Sequence, residues 1–385
     1  MKKYIIIHDK LLDYGGAESV LLSLIRYKRP EVVICSCVSD QAHWEKLLGV
    51  KIVSPKLNSF IHNQFLFKLL YPYIILVCFL SRLAFPYRDA FIVVYSSSAG
   101  KYFRGFDYER ALVYINFHAK GISQAEKYIS RGWAKYLVKF FFIRRAFVFI
   151  EDLALKKFFY FRAISLQALD SLPNYLKSNT RYDVGVLHCP SFNSDSDSDS
   201  DSDSLDPKAF KLPSEYFVII SRLNPEKSIE PLLDFINVNM NINIVVIGDG
   251  DLKDYFSKKF GSKFHFLGFL ETQLKNFIIE QSVAVIQPTS QEWSLITVES
   301  NIIGIPVISI HSRGLEEINF TISGFANFPN ILFKDYTELP LLVSHINSSA
   351  NYIKENRDRI ISLFSESSFF ERLNILENKI FNEKS

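Results

Sequence analysis

Residues 288–306 read PTSQEWSLITVESNIIGIP, and this stretch limits what the chain can fold into more than any other. A short, bounded apolar run, Val283 to Ile286, comes just before it, as a buried parallel strand would. Apolar residues then recur at helical spacing (Leu295, Val298, Ile302), which predicts a helix over 293–303 with Glu299 on another part of the turn. Gly304-Ile305-Pro306 stops that helix, and Val307 to Ile310 begins another strand. The order is strand, polar loop, helix, strand. A loop that leaves the carboxyl end of a strand and feeds a helix N-terminus is where open α/β sheets bind ligands. Free backbone N–H groups there suit an anion.

The same alternation recurs along the chain. Short apolar runs at 4–7, 31–37, 91–95, 111–115, 183–187, 216–221, 242–247 and 264–268 read as strands, with helical patterns between several of them. The chain has 385 residues, 48% of them apolar, which suits two cores. The expected division is a first Rossmann-like domain over 1–190, a linker over 191–207 and a second such domain over 208–368. A terminal helix over 369–383 is expected to return to the first domain. The linker contains a strict Ser-Asp alternation from Ser194 to Ser204. Like charges at every second residue repel and stay solvated, so the D-x-D matches inside it are a product of low complexity and not a metal site.

Charge separates the two halves. Residues 1–190 hold 27 Lys and Arg against 14 Asp and Glu, a formal +13, whereas 191–385 hold 17 against 27, a formal −10. A basic half points to an anionic partner. Between Trp133 and Arg162, Lys and Arg interleave with large aromatics (Lys139, Phe140, Phe141, Phe142, Arg144, Arg145). That pattern suits an anionic membrane surface, and equally a long helix whose aromatic face lies in the core. No nucleic-acid-binding motif accompanies it, which argues against a nucleic-acid partner. Leu69 to Leu80 is strongly apolar but contains Pro72 and falls short of the roughly 20 residues of a membrane span. It reads as a buried or interfacial helix. The four cysteines show no metal or disulfide spacing, which fits a reducing compartment. The opening residues are too short an apolar run for a cleavable signal core, so a cytoplasmic location is expected.

Two further loops carry chemistry. Gly15-Gly16-Ala17-Glu18 opens a helix after the first strand, and paired glycines let backbone approach a ligand closely. Arg222 and Lys227 lie five apart on the loop after the Tyr216–Ser221 strand, spaced to close on a diphosphate.

Taken together, these stretches resemble the retaining family-4 glycosyltransferases, which have the GT-B fold. That family's donor-binding pattern is roughly P-S-x-x-E-G-F-G-L, then a helix carrying E-A, then G-x-P-V. Pro288, Ser290, Trp293, Ser294, Leu295, Glu299, Gly304, Pro306 and Val307 fall in place. Gly15-Gly16-Ala17-Glu18 is similar to its G-G-A-E, and Ser221 to Lys227 to its G-R-L-x-x-x-K with Ser221 for glycine. The Phe264–Leu270 segment resembles the one that flanks the nucleotide base, and Arg313-Gly314-Leu315-Glu316-Glu317 resembles G-G-x-x-E. The family places seven residues between two glutamates. Here Glu292 and Glu299 have six between them, and Gln291 stands at the family spacing. The family's active-site histidine, after the 111–115 strand, corresponds to Asn116 or to His118.

The resemblance implies an α/β chain with two doubly wound Rossmann-like domains facing a cleft. The implied activity is a hexosyltransferase of class EC 2.4, moving sugar from a nucleotide diphosphate sugar to an acceptor with retained configuration and no metal or other cofactor. His118 and Glu292 are the implied catalytic residues, with Asn116 and Gln291 as their rivals. Gly15, Gly16, Arg222, Lys227, Phe269, Ser294, Leu295 and Glu299 are the implied donor-binding residues, Glu299 toward the ribose. The basic, aromatic first half suggests a saccharide acceptor carried on lipid, such as a lipopolysaccharide or capsule precursor, met at the inner face of the cell membrane. The competing reading is a degenerate relative that binds nucleotide sugar or glycan as the partner of an active enzyme.

Overall fold

The computed structural model describes residues 3–12, 14–63, 66–67, 70–87, 89–96, 100–116, 149–150, 152–191, 210–289 and 293–382. His118, Gln291, Glu292, Ser290, the Ser-Asp tract and most of the basic aromatic stretch lie outside the described residues. The chain divides into two compact units. One comprises Met1–Pro190 with Phe369–Ser385, the other Ser191–Ser368.

The first unit is built on a seven-stranded sheet: β1 (Tyr4–His8), β2 (Val32–Cys35), β3 (Ile52–Val53), β4 (Phe91–Tyr95), β5 (Ala111–Ile115), β6 (Tyr160–Ala163) and β7 (Asp183–Val186). All pairings are parallel, in the order β3-β2-β1-β4-β5-β6-β7. β2, β4 and β5 are buried along their whole length, which is why they read as unbroken apolar runs. Ile5, Ile7, Ile92, Val94 and Val113 pack one face against Phe103, Phe158 and the helix Tyr71–Leu80. Pro72 sits in that helix's first turn, where its missing N–H costs nothing. Ile74, Ile75, Val77 and Cys78 are its buried side. All four cysteines of the chain are buried free thiols.

The final helix runs from Glu366 to Asn382, three residues earlier than the sequence pattern suggests. Its Phe369, Phe370, Leu373 and Ile380 are buried, and the Phe370 ring stacks on Tyr27 with centroids 3.8 Å apart. Glu377 meets Lys28 through both oxygens, at 2.7 and 2.8 Å, and accepts a 3.1 Å hydrogen bond from the Tyr4 hydroxyl. Burial and the Glu377 charge together push the Tyr4 phenol well above its ordinary pKa.

The second unit holds a six-stranded parallel sheet: β8 (Phe217–Ile220), β9 (Ile244–Ile247), β10 (Phe264–Gly268), β11 (Val285–Gln287), β12 (Val307–Ile310) and β13 (Ile331–Phe333). Its order is β10-β9-β8-β11-β12-β13. Alternate residues supply two cores. Ile219, Val246, Ile286 and Ile308 face Leu232, Leu233 and Phe256, while Val218, Val245, Val285 and Val307 face Ile278 and Ile279. β11 begins two residues later than the apolar run and ends in a polar residue, Gln287.

Candidate active site

In the second unit the strand order reverses between β8 and β11. Ligands of doubly wound sheets bind at the carboxyl ends of strands at such a point. The loop leaving β8 carries Arg222, exposed, and Lys227, half-buried at the end of a 3₁₀ turn, Pro225–Lys227. Leu223, fully buried between them, anchors the loop. Its backbone is held from below by the turn after β9. Leu223 N–H donates to Asp249 O at 2.9 Å, Leu252 N–H donates to Leu223 O at 2.9 Å, and Ser221 N–H donates to Ile247 O at 3.1 Å. This approach is close enough to require glycine. A Cβ on Gly248 (φ +136°) would stand 2.0 Å from Ser221 O, and one on Gly250 (φ +150°) 2.3 Å from Asn224 Oδ1. What reads in sequence as a plain Gly-Asp-Gly turn is therefore the bed of the Arg222 loop.

The loop leaving β11 is braced by Gln287, which the sequence pattern passed over as the tail of an apolar run. Gln287 Oε1 accepts from Ser294 Oγ at 2.6 Å and from Thr297 Oγ1 at 3.1 Å, and its Nε2 donates to Thr289 O at 3.2 Å. The helix starts at Leu295, not Trp293, because Ser294 is its cap. The Ser294 hydroxyl accepts from Thr297 N–H at 3.1 Å. The Ser294 side chain is thus used within the loop, and its carbonyl accepts from Val298 N–H at 3.2 Å. Among the described residues, nothing takes the first-turn N–H groups of Leu295 and Ile296. Three fully buried asparagines fix the far end. Asn330 Nδ2 donates to Asn301 Oδ1 at 2.8 Å and to Asn319 Oδ1 at 3.0 Å, and Asn301 Nδ2 donates to Ile305 O at 3.0 Å.

Glu299 lies in the middle of the helix Leu295–Ile303. It is 7% exposed, and its Oε2 sits 2.8 Å from Lys275 Nζ on the helix Thr272–Glu280. The alternative of a solvated helix glutamate does not describe it. Phe269, just after β10, is 71% exposed. Arg313 opens the helix Arg313–Ser323, which Ser312 caps; Glu317 is buried there, and Glu316 pairs with His311 at 2.8 Å. His311 and Glu316 also line a separate polar cleft of about 540 Å³ with Lys334 and Glu338.

The first sheet reverses between β1 and β4. His8, the last residue of β1, is 4% exposed; its Nδ1–H donates to the Tyr95 carbonyl at 3.1 Å, and its Nε2 lies 3.7 Å from Glu18. Asp9 Oδ1 accepts from Ser96 Oγ at 2.5 Å and from Gly100 N–H at 2.9 Å. Gly15 is the N-cap of the helix Gly16–Lys28, and its extended backbone does not itself require glycine. A Cβ there would come within 3.3 Å of Glu18 Oε2, a contact that the Glu18 side chain would have to relieve. Asn116 follows β5, and its side-chain oxygen is buried with no hydrogen-bond partner among the described residues. Burial, foremost, drives the Tyr95 phenol well above its ordinary pKa, and the nearby Asn116 side chain opposes the rise.

Comparison with known proteins adds the following. Residues 202–325 match the model of the family described as Glycosyl transferases group 1. No curated protein matches the chain by sequence. Among solved structures, the chain is similar to Anabaena Alr3699/HepE, crystallised with UDP and glucose, at 14% identity and a TM-score of 0.63, with 97% of this chain and 98% of that chain covered. It is similar to the sucrose-phosphate synthase of Thermosynechococcus elongatus at 13% identity and a TM-score of 0.66, with both chains wholly covered. A glycosyltransferase from Rickettsia africae ESF-5 aligns over both full chains at 14% identity and a TM-score of 0.59. These likenesses establish the GT-B fold with its two Rossmann-like domains. The family match falls inside the second unit, the one that carries Arg222, Lys227 and Glu299.

Proposed function

We propose that the protein transfers a sugar from a nucleotide diphosphate sugar to a saccharide acceptor, with retained anomeric configuration and without a metal. One observation carries the reading. At the reversal of the second sheet, inside the matched family region, Arg222 and Lys227 lie on the loop that leaves β8, and the open amides of Leu295 and Ile296 and the buried carboxylate of Glu299 lie on the helix that follows β11, the strand paired with β8. When the sugar–phosphate bond breaks, negative charge grows on the leaving diphosphate. Fixed cations and backbone N–H groups stabilise that charge more than they stabilise the intact donor, and this lowers the barrier. Arg222 and Lys227 do the work that a divalent ion does elsewhere. Glu299 accepts from the ribose hydroxyls, and Phe269 offers an exposed ring to the base. Glu292 or Gln291 would meet the sugar hydroxyls, with His118 or Asn116 on the first unit's side. No protein nucleophile is assigned; the leaving phosphate takes the acceptor's proton. HepE was crystallised with UDP-glucose, which makes uridine the first base to try.

We further propose that the acceptor is carried on lipid and that the enzyme works peripherally at an anionic membrane face. The helix Tyr71–Leu80 leaves Leu76, Phe79 and Leu80 exposed on its outer side. Arg104 and Lys157 stand over the Phe79 ring at 3.9 and 5.5 Å. Apolar side chains ringed by cations suit the boundary between headgroups and acyl chains. Among the described residues no helix is long and apolar enough to cross a membrane.

Thermal unfolding with UDP, GDP, ADP, dTDP and CMP tests the donor. Ligand at 100 times its dissociation constant adds about 2.7 kcal/mol to the folded state. One diphosphate is expected to stand out, and to lose its effect in Glu299→Ala. Release of that diphosphate from its sugar in the presence of acceptor then tests transfer. Binding with no release would favour the holding role over the enzyme. Flotation with anionic vesicles tests the membrane face, and a protein that stays at the bottom of the gradient would sink it.

A further inference from the structure

We propose that Lys275 is a positioning residue for the donor's ribose, acting through Glu299. The proposal rests on the donor reading above and adds to it a residue that no motif named. Glu299 is an acid in the interior of a helix, with its side chain 8% exposed. A carboxylate at that depth needs a partner of opposite charge, and Lys275 supplies it. Its Nζ is 2.8 Å from Glu299 Oε2, and its own side chain is 16% exposed. The ammonium comes from a different helix, Thr272–Glu280, so the pair also clasps two elements of the same unit.

The geometry uses one carboxylate oxygen and leaves the other. Oε1 of Glu299 takes no hydrogen bond from any described residue. A charged oxygen accepts a hydroxyl roughly twice as strongly as a neutral one. Glu299 stands five residues beyond the Ser294 cap, about 7 Å along the helix axis. That is the reach from a diphosphate at the helix N-terminus to the ribose of the same nucleotide. In this arrangement Lys275 pairs with Glu299 and pins one of its oxygens, and the second oxygen reads the ribose hydroxyls.

The test compares ribose with its dideoxy form. Dissociation constants for UDP, GDP and ADP, each beside its 2′,3′-dideoxy counterpart, are measured by calorimetry on wild type, Glu299→Gln, Lys275→Met and Lys275→Arg. Wild type is expected to prefer the ribonucleotide by about 10- to 100-fold, the range for hydrogen bonds to a charged group. Glu299→Gln brings the preference to within about 3-fold, and Lys275→Met follows it. Lys275→Arg, which keeps the cation, holds most of the preference. Lys275→Gln carries the same comparison if the methionine variant does not fold. A clasp with a merely structural role gives a different result: Lys275→Met melts lower but keeps the full ribose preference, which overturns the proposal while the donor reading stands. If Glu299→Gln keeps the preference, the ribose role of Glu299 itself is lost. If no diphosphate binds wild type, the donor reading and this proposal fall together.

Discussion

The two sheets reverse at corresponding places, between β1 and β4 in one unit and between β8 and β11 in the other, yet the two reversals are finished differently. In the first unit His8 and Asp9, at the end of β1, are spent on their neighbours. His8 donates to the Tyr95 carbonyl, and Asp9 receives Ser96 and Gly100. In the second unit the satisfied groups lie beneath the surface, in Gln287, Ser294, Thr297 and the asparagine cluster. Above them the first-turn amides of Leu295 and Ile296 take no hydrogen bond among the described residues. The same topology thus supports a closed reversal and an open one. The distinction depends on whether the polar groups at the strand ends find partners within the unit.

The largest expected effect tests the closed unit. Glu377→Ala removes the carboxylate that pairs with the buried Lys28 ammonium, at a cost of about 3–5 kcal/mol read by urea unfolding. Lys28→Met combined with Glu377→Leu is expected to recover most of that loss, because an apolar pair of similar volume replaces a buried ion pair at little cost. Next comes the open unit. Arg222→Ala is expected to lower kcat about 100- to 1,000-fold while unfolding at nearly the wild-type temperature, since the side chain is exposed and the removed donor acts on developing charge. An equal fall in stability would mean that the Arg222 loop is a structural element and would erase the contrast.

Asp9→Ala sharpens the comparison from the other side. It strands the Ser96 hydroxyl and the Gly100 amide and is expected to cost about 1–3 kcal/mol with nucleotide affinity unchanged. A drop in UDP affinity at full stability would instead make the first reversal part of the donor site. The smallest effect concerns Asp183, at the start of β7. Burial alone would push its carboxyl up, but the Lys379 ammonium at 2.8 Å and the Arg162 guanidinium at 3.0 Å outweigh it and hold the group below the usual range. A depressed carboxylate stabilises the fold above its unfolded value, about 3.9, and that stabilisation is lost as pH falls through the folded value. Acid titration of Asp183→Asn is expected to lack this loss below about pH 4, an effect under ~1 kcal/mol for a partly exposed pair.

Ten of the thirteen described strands were legible because a strand buried on both faces writes itself as an uninterrupted apolar run; β3, β13 and β6, which begins inside the basic aromatic stretch, were not read. Phe91–Tyr95 and Ala111–Ile115 match the runs to the residue. Element ends were less legible. The helix after β11 starts where a serine hydroxyl finds Thr297 N–H, and apolar spacing does not record that bond. Arg222, Lys227 and Glu299 could be picked out because their motifs fix chemistry by spacing along a short loop and one helix. Gln287, Lys275 and the Gly248–Gly250 bed could not, since each acts on residues brought from elsewhere in the chain. The sequence by itself determined two doubly wound α/β units and the loops that leave their strand ends, because hydrophobic period and turn residues are local properties. Only the tertiary structure decided which polar groups at those ends are satisfied and which remain open, because hydrogen-bond partners far along the chain, such as Lys275 for Glu299 at 24 residues and Ser96 for Asp9 at 87, are chosen by packing and not by spacing.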